Sequence, residues 1–266
     1  MQEFVQFTQL YVLIMVRMFA ILMVAPVYSS TVIPVQLKGI LAFVITAILF
    51  PLIADKAGAV PTALVPFVLA AANEAMIGIL IGFLMTIIFA AFQTAARFFE
   101  VQMGFGVTDT IDPLSQISIP IIGQFQNLIA TLVFFAIKGH HLVILALYES
   151  YKSLPVLGTQ SKKVFTTGGG AIVDQLIHFT NAMFFVSLQL AFPILATLFV
   201  LTLALGLLAK AAPQMNMLML GFPFQVAVGI ITIMVITPML VGTIADVLQV
   251  TFRDIFRFVD GLGTAR

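Results

Sequence analysis

Six long apolar stretches, parted by polar connections, set the pattern of the chain: residues 4–25, 38–54, 64–91, 120–148, 182–208 and 222–247. A helix needs about 20 apolar residues to cross about 30 Å of hydrocarbon, and each stretch reaches or approaches that length. None shows the in–out alternation of a membrane strand. Peptide groups in lipid must be satisfied within the protein, so helices are what remains. The pattern predicts an all-α membrane protein with about six hydrophobic segments, forming a single domain over residues 1–266.

Several stretches depart from a plain span. Residues 38–54 number only 17 and contain Pro51, whereas the third element can run from Leu64 to Gln102 without a breaker. Lys138-Gly139-His140-His141 breaks the fourth stretch, and Pro193 and Pro238 interrupt the last two. Short, broken and overlong helices suit a bundle in which they face other protein as much as lipid. Tilt and kinking are the other way to accommodate them.

The polar connections differ in content. Residues 55–62 make a short link, whereas residues 151–170 carry three of the twelve basic residues and end in Thr-Thr-Gly-Gly-Gly. Residues 103–118 are the most informative. Gly104 and Gly106 give backbone freedom there, while Pro113 and Pro120 prevent helix continuation. Phe105, Val107, Ile111 and Leu114 supply apolar bulk. In the tail, residues 245–259, one helical face holds Leu248, Phe252, Ile255 and Val259, and another holds Gln249, Arg253 and Arg257. Such a helix can lie on a membrane surface, pack on a partner, or be the solvated end of the last span.

Composition sharpens this picture. Hydrophobic residues make up 61% of the chain and charged ones 9%, far below the roughly 25–35% that keeps a soluble surface dispersed. A formal net charge of +1 argues against a nucleic-acid partner. The lack of cysteine removes disulfides and thiol chemistry. Met1-Gln2-Glu3-Phe4 lacks the positive start of a signal peptide, and Pro26-Val27-Tyr28 is no cleavage site, so the first stretch is read as retained. Positive charges in nearly every connection leave the orientation open.

Few side chains suggest chemistry. Glu74, beside Asn73, lies eleven residues into an apolar stretch. A carboxylate there costs about 2.5–3.5 kcal/mol on insertion scales, so it should face protein or water. It is either a proton relay or conduit lining, or the interhelical partner of Arg17, the one charge inside the first stretch. His140 and His141 point about 100° apart on a helix and do not readily chelate one ion together; polar anchoring at a helix break suits them better. Met215, Met217 and Met219 alternate after Pro213 and Gln214, as a gasket or as ordinary filling. No phosphate-binding loop occurs, Gly168-Gly169-Gly170 lacks the flanking pattern, and nothing arranges Ser, His and Asp for acyl transfer. No enzyme, cofactor or metal site is expected.

Two groups of motifs, taken together, carry a resemblance. The first is Gln102-Met103-Gly104, then Asp112-Pro113, Pro120, Gln124-Phe125, Asn127 and Gly139-His140-His141. The second is Leu203-Ala204-Leu205-Gly206, then Ala212-Pro213-Gln214-Met215-Asn216 and Leu220-Gly221-Phe222-Pro223. In motif order and length the whole chain resembles the FliR family of flagellar type III protein export subunits. The injectisome counterparts are similar in architecture, but the Gly-His-His and Pro-Gln-Met-Asn runs favour the flagellar branch.

The resemblance implies one copy assembled with several FliP and FliQ subunits, next to FlhA and FlhB, in the flagellar basal body of the bacterial inner membrane. It implies bent helical hairpins, a FliP-like part followed by a FliQ-like part. It implies a gate for unfolded flagellar subunits, plugged from within by the loop Gly104-Phe105-Gly106-Val107-Thr108-Asp109-Thr110-Ile111-Asp112-Pro113-Leu114 and onward to Pro120. Some family members carry aromatics where this chain has Val107 and Thr110. The methionine ring of such gates comes largely from FliP, so that role is not carried over to Met215, Met217 or Met219. A proton-coupled secondary transporter of a small solute, using Glu74 and Arg17, is the alternative. Such folds usually show matched halves with paired polar sites, and no second-half partner for Glu74 is evident.

Overall fold

The computed structural model describes residues 2–30, 32–54, 57–58, 60–61, 63–105, 120–158, 169–214 and 217–264. Among the described residues there are seven helices and no strand. They are α1 (Gln2–Val24), α2 (Val35–Ile53), α3 (Leu64–Met103), α4 (Ile121–Ala136), α5 (Gly139–Ser153), α6 (Gly169–Ala211) and α7 (Met217–Thr264). Five of them are long and apolar enough to cross a membrane, and α4 with α5 makes a sixth if the pair counts as one span. The protein is an all-α membrane protein.

One expectation needs correction. Pro193 does not interrupt α6, and neither Pro223 nor Pro238 interrupts α7; both helices run through them. Breaking a helix in hydrocarbon would strand peptide groups with no water to take them, which outweighs the one hydrogen bond that proline removes. The amphipathic tail is the last part of α7, the end-of-span placement among the three its pattern allows. Two of the three glycines closing the 151–170 connection, Gly169 and Gly170, already belong to α6.

Cα packing divides the chain into two compact units. The first comprises Met1–Ile88, Lys138–Thr180 and Leu248–Arg266, the second Phe89–Ile137 and Asn181–Val247.

In the first unit, α1 and α2 form an antiparallel hairpin held by aromatics. The rings of Phe7 and Phe50 lie 4.4 Å apart, and the Tyr11 hydroxyl donates to the Phe43 carbonyl at 2.7 Å. The first half of α3 then runs parallel to α1. Its small residues recur every four positions, which brings the two backbones together. A Cβ on Gly78 would stand 2.5 Å from the Arg17 carbonyl oxygen, and one on Gly82 would stand 3.0 Å from Val24 Cβ. One turn on, the Thr86 hydroxyl donates to the Val24 carbonyl at 2.9 Å. Small residues at this spacing are how membrane helices approach closely, since lipid gives apolar surfaces little reason to leave it. Leu248, Phe252, Ile255 and Val259 of α7 are buried in this same unit, while Gln249, Arg253 and Arg257 are exposed. The tail's apolar face is thus satisfied within the chain.

In the second unit, the end of α3 lies antiparallel to α4. Phe89 meets Phe134 edge to face with centroids 6.0 Å apart, and Ala96 approaches Gly123. Here α6 and α7 form another antiparallel hairpin, with Leu205 near Gly221 and the Gln225 amide donating to the Thr202 hydroxyl at 3.4 Å. This hairpin leaves large side chains uncovered: Phe185, Phe192, Leu207, Met234 and Val235 are each 70% exposed or more.

Candidate functional site

Arg17 and Glu74 are brought together in the first unit, 0% and 1% exposed. Arg17 Nε donates to Glu74 Oε2 at 2.6 Å, and Nη2 stands 2.6 Å from the same oxygen. Nη1 donates to the Ser150 carbonyl at 3.1 Å and to its Oγ at 3.0 Å, and Nη2 donates to the Leu154 carbonyl at 3.0 Å. The guanidinium also lies over the Tyr151 ring, 4.1 Å from its centroid, and the Tyr151 hydroxyl donates to the Ile14 carbonyl at 2.9 Å. The three nitrogens thus make four hydrogen bonds and one further ion-pair contact, shared among four acceptor atoms. One cation ties α1, α3 and the end of α5 into a unit. Burial of such a pair is costly unless its remaining donors are satisfied, as they are here.

One motif from each of the two groups that carried the resemblance meets the other in the second unit. Helix α3 ends in a Schellman motif. Gly104 adopts φ +90°, its N–H reaches the Val101 carbonyl at 3.1 Å, and the Phe105 N–H reaches the Glu100 carbonyl at 3.1 Å. A Cβ on Gly104 would stand 2.8 Å from Phe222 Cδ2. In return, a Cβ on Gly229 would stand 2.6 Å from Met103 Cε. Gln102-Met103-Gly104 and Gly221-Phe222-Pro223 are therefore two sides of one contact, where α7 grips the end of α3. Of the loop residues expected to plug a channel, Gly104 and Phe105 are described. Gly106, Val107, Thr108, Asp109, Thr110, Ile111, Asp112, Pro113 and Leu114 lie outside the described residues.

His140 and His141 open α5 just after Lys138, whose φ of 59° marks a left-handed break between α4 and α5. Their rings stand side by side, with centroids 4.3 Å apart. Among the described residues no group of three or more His, Asp or Glu is placed to hold a metal ion. Pro213 and Gln214 form the exposed turn between α6 and α7, and Met215 and Asn216 lie outside the described residues. The sequence reading passed over Gly78 and Gly82, although their spacing of four within an apolar stretch was a legible signal for close helix packing. It also passed over Glu100, whose partners are 22 and 23 residues away and leave no local trace.

Parallel glycine-packed helices, a buried ion pair and broad uncovered apolar faces define an all-helical membrane protein. The chain belongs to the bacterial export proteins, family 1, which it matches over residues 8–250. It is 30% identical over 247 residues to the flagellar biosynthetic protein FliR of Bacillus subtilis (strain 168), covering 91% of this chain and 92% of that one. It is 30% identical over 261 residues to the protein of the same name from Escherichia coli (strain K12), covering 97% and 94%. The FliR of Aquifex aeolicus (strain VF5) is 28% identical over 242 residues, covering 91% and 88%. The similarity is to flagellar biosynthesis and export along nearly the whole chain.

Proposed function

We propose that this chain is a pore-forming subunit of the bacterial flagellar type III export gate. In this reading it sits as one copy with FliP and FliQ, beside FlhB and FlhA, in the inner membrane at the flagellar basal body. It acts as a single export-gate domain with no catalytic role, and unfolded flagellar proteins are its cargo. The observation that carries the reading is the family match over residues 8–250, with relatives aligned nearly end to end. The exposed apolar faces of α6 and α7 support it, because sister subunits would cover them.

The segment from Gly104 to Pro120 is the proposed plug. The Schellman turn at Gly104 and Phe105 supports this by ending α3 just before the segment that carries Val107, Ile111 and Leu114. Deleting residues 107–117 is expected to leave the complex assembled but leaking ions. Wild-type membrane conductance in that deletion would remove the plug assignment. Nothing in the family match favours the alternative, a proton-coupled transporter of a small solute.

A further inference from the structure

We infer that Glu100 is a positioning residue that holds both feet of the segment spanning residues 106–119. The exit foot is its backbone: the Glu100 carbonyl accepts the Phe105 N–H at 3.1 Å as α3 ends. The return foot is its side chain. Glu100 Oε1 accepts the Ile122 N–H at 2.6 Å and the Gly123 N–H at 3.0 Å as α4 begins.

These two amides are the ones that a residue at the helix cap would ordinarily take with its own side chain. Pro120 occupies that position and has no side-chain acceptor to offer. Left alone, the first N–H groups of α4 would go unsatisfied in an apolar setting. A carboxylate from the preceding helix fills the place, and its negative charge faces the positive end of α4. Glu100 is 6% exposed, so solvent screens this contact little. Ala96, one turn earlier on α3, makes the reach short. Its Cβ would stand 3.7 Å from a Cβ on Gly123, and Gly123 has none.

One residue therefore fixes where the chain leaves α3 and where it enters α4. The two ends of the intervening segment are set by a single side chain and its own carbonyl, not by two independent anchors. This function for Glu100 rests on the plug reading; the anchoring itself does not.

The test uses the assembled complex carrying Glu100→Ala, Glu100→Gln, the 107–117 deletion, or Glu100→Ala combined with the deletion. Amide exchange at Ile122 and Gly123 and membrane ion conductance are measured on each. Glu100→Ala is expected to speed exchange at both amides by about tenfold or more, as loss of a charge-assisted hydrogen bond does. It should also raise conductance in complexes that remain assembled, and add no leak to the deletion. Glu100→Gln should change both readouts in the same direction by less, and it substitutes for the alanine variant if that one fails to assemble. Faster exchange with unchanged conductance, beside a deletion that leaks, would reduce Glu100 to a structural cap and overturn the positioning role. Unchanged exchange would overturn the anchoring as well. A deletion that does not leak would remove the plug reading and with it the role assigned to Glu100, while exchange at Ile122 and Gly123 would still decide the anchoring.

Discussion

Arg17 Nε lies 2.6 Å from Glu74 Oε2, joining helices α1 and α3 across 57 residues of chain with neither side chain reaching solvent. Removing one member of such a pair leaves the other charged and buried, at a cost of about 3–5 kcal/mol. Glu74→Gln is therefore expected to lower the thermal stability of the detergent-solubilised complex strongly. Replacing both residues by apolar ones of similar size, Arg17→Met with Glu74→Leu, should recover much of that loss. Equal losses in the single and double variants would contradict this, showing that the unpaired charge is not what destabilises the single variant.

Gly78 is the point where α3 touches the α1 backbone. A side chain there meets the Arg17 carbonyl, which cannot move without displacing the guanidinium beside Glu74. Gly78→Val is expected to destabilise the protein by about 1–3 kcal/mol or more, the usual range for overpacking. The same change at Gly39, which has open space around it, should be tolerated. Comparing steady-state amounts of the two variants in membranes checks this; equal amounts would contradict the close packing of α1 and α3.

Gly104 has two separate reasons to be glycine. Its φ of +90° disfavours any side chain, at about 1–2 kcal/mol, and Phe222 fills the space where a Cβ would go. Gly104→Ala should impair swimming, and Phe222→Leu in the same chain should restore part but not all of it. Full restoration would show that the backbone conformation contributes nothing, and none would show that the contact does not.

The tail of α7 gives a paired test. Ile255 is wholly buried, so Ile255→Ala is expected to cost about 2–5 kcal/mol. Arg257, largely exposed and 3.7 Å from Asp254, should lose less than about 1 kcal/mol on change to alanine. Protease resistance of the solubilised protein ranks the two. Equal sensitivity would argue that the tail's apolar face does not pack within the chain.

Much of this was legible in the sequence, and the remainder was hidden for physical reasons. The apolar runs located the helices because lipid tolerates little else over such lengths. The lone charges Arg17 and Glu74 offered each other as partners because each is expensive alone. The prolines misled: in water Pro193 and Pro238 would end a helix, but in hydrocarbon the helix has nowhere better to go. Amphipathy of the tail gave its buried face but not what buried it, since periodicity names no partner. Contacts such as Glu100 with Ile122, and Gly104 with Phe222, depend on which helix ends the fold brings together, and nothing at either position records that.

The uncovered faces of α6 and α7, with Phe185 and Phe192 each 70% exposed or more, are expected to be covered by other polypeptides. Gentle detergent extraction of the tagged chain from its own cells, followed by native mass spectrometry, tests this most directly. The expected result is a hetero-oligomer containing a single copy of this chain with several copies of two other small hydrophobic proteins. A monomer carrying only lipid and detergent, from cells that export flagellar subunits normally, would contradict it.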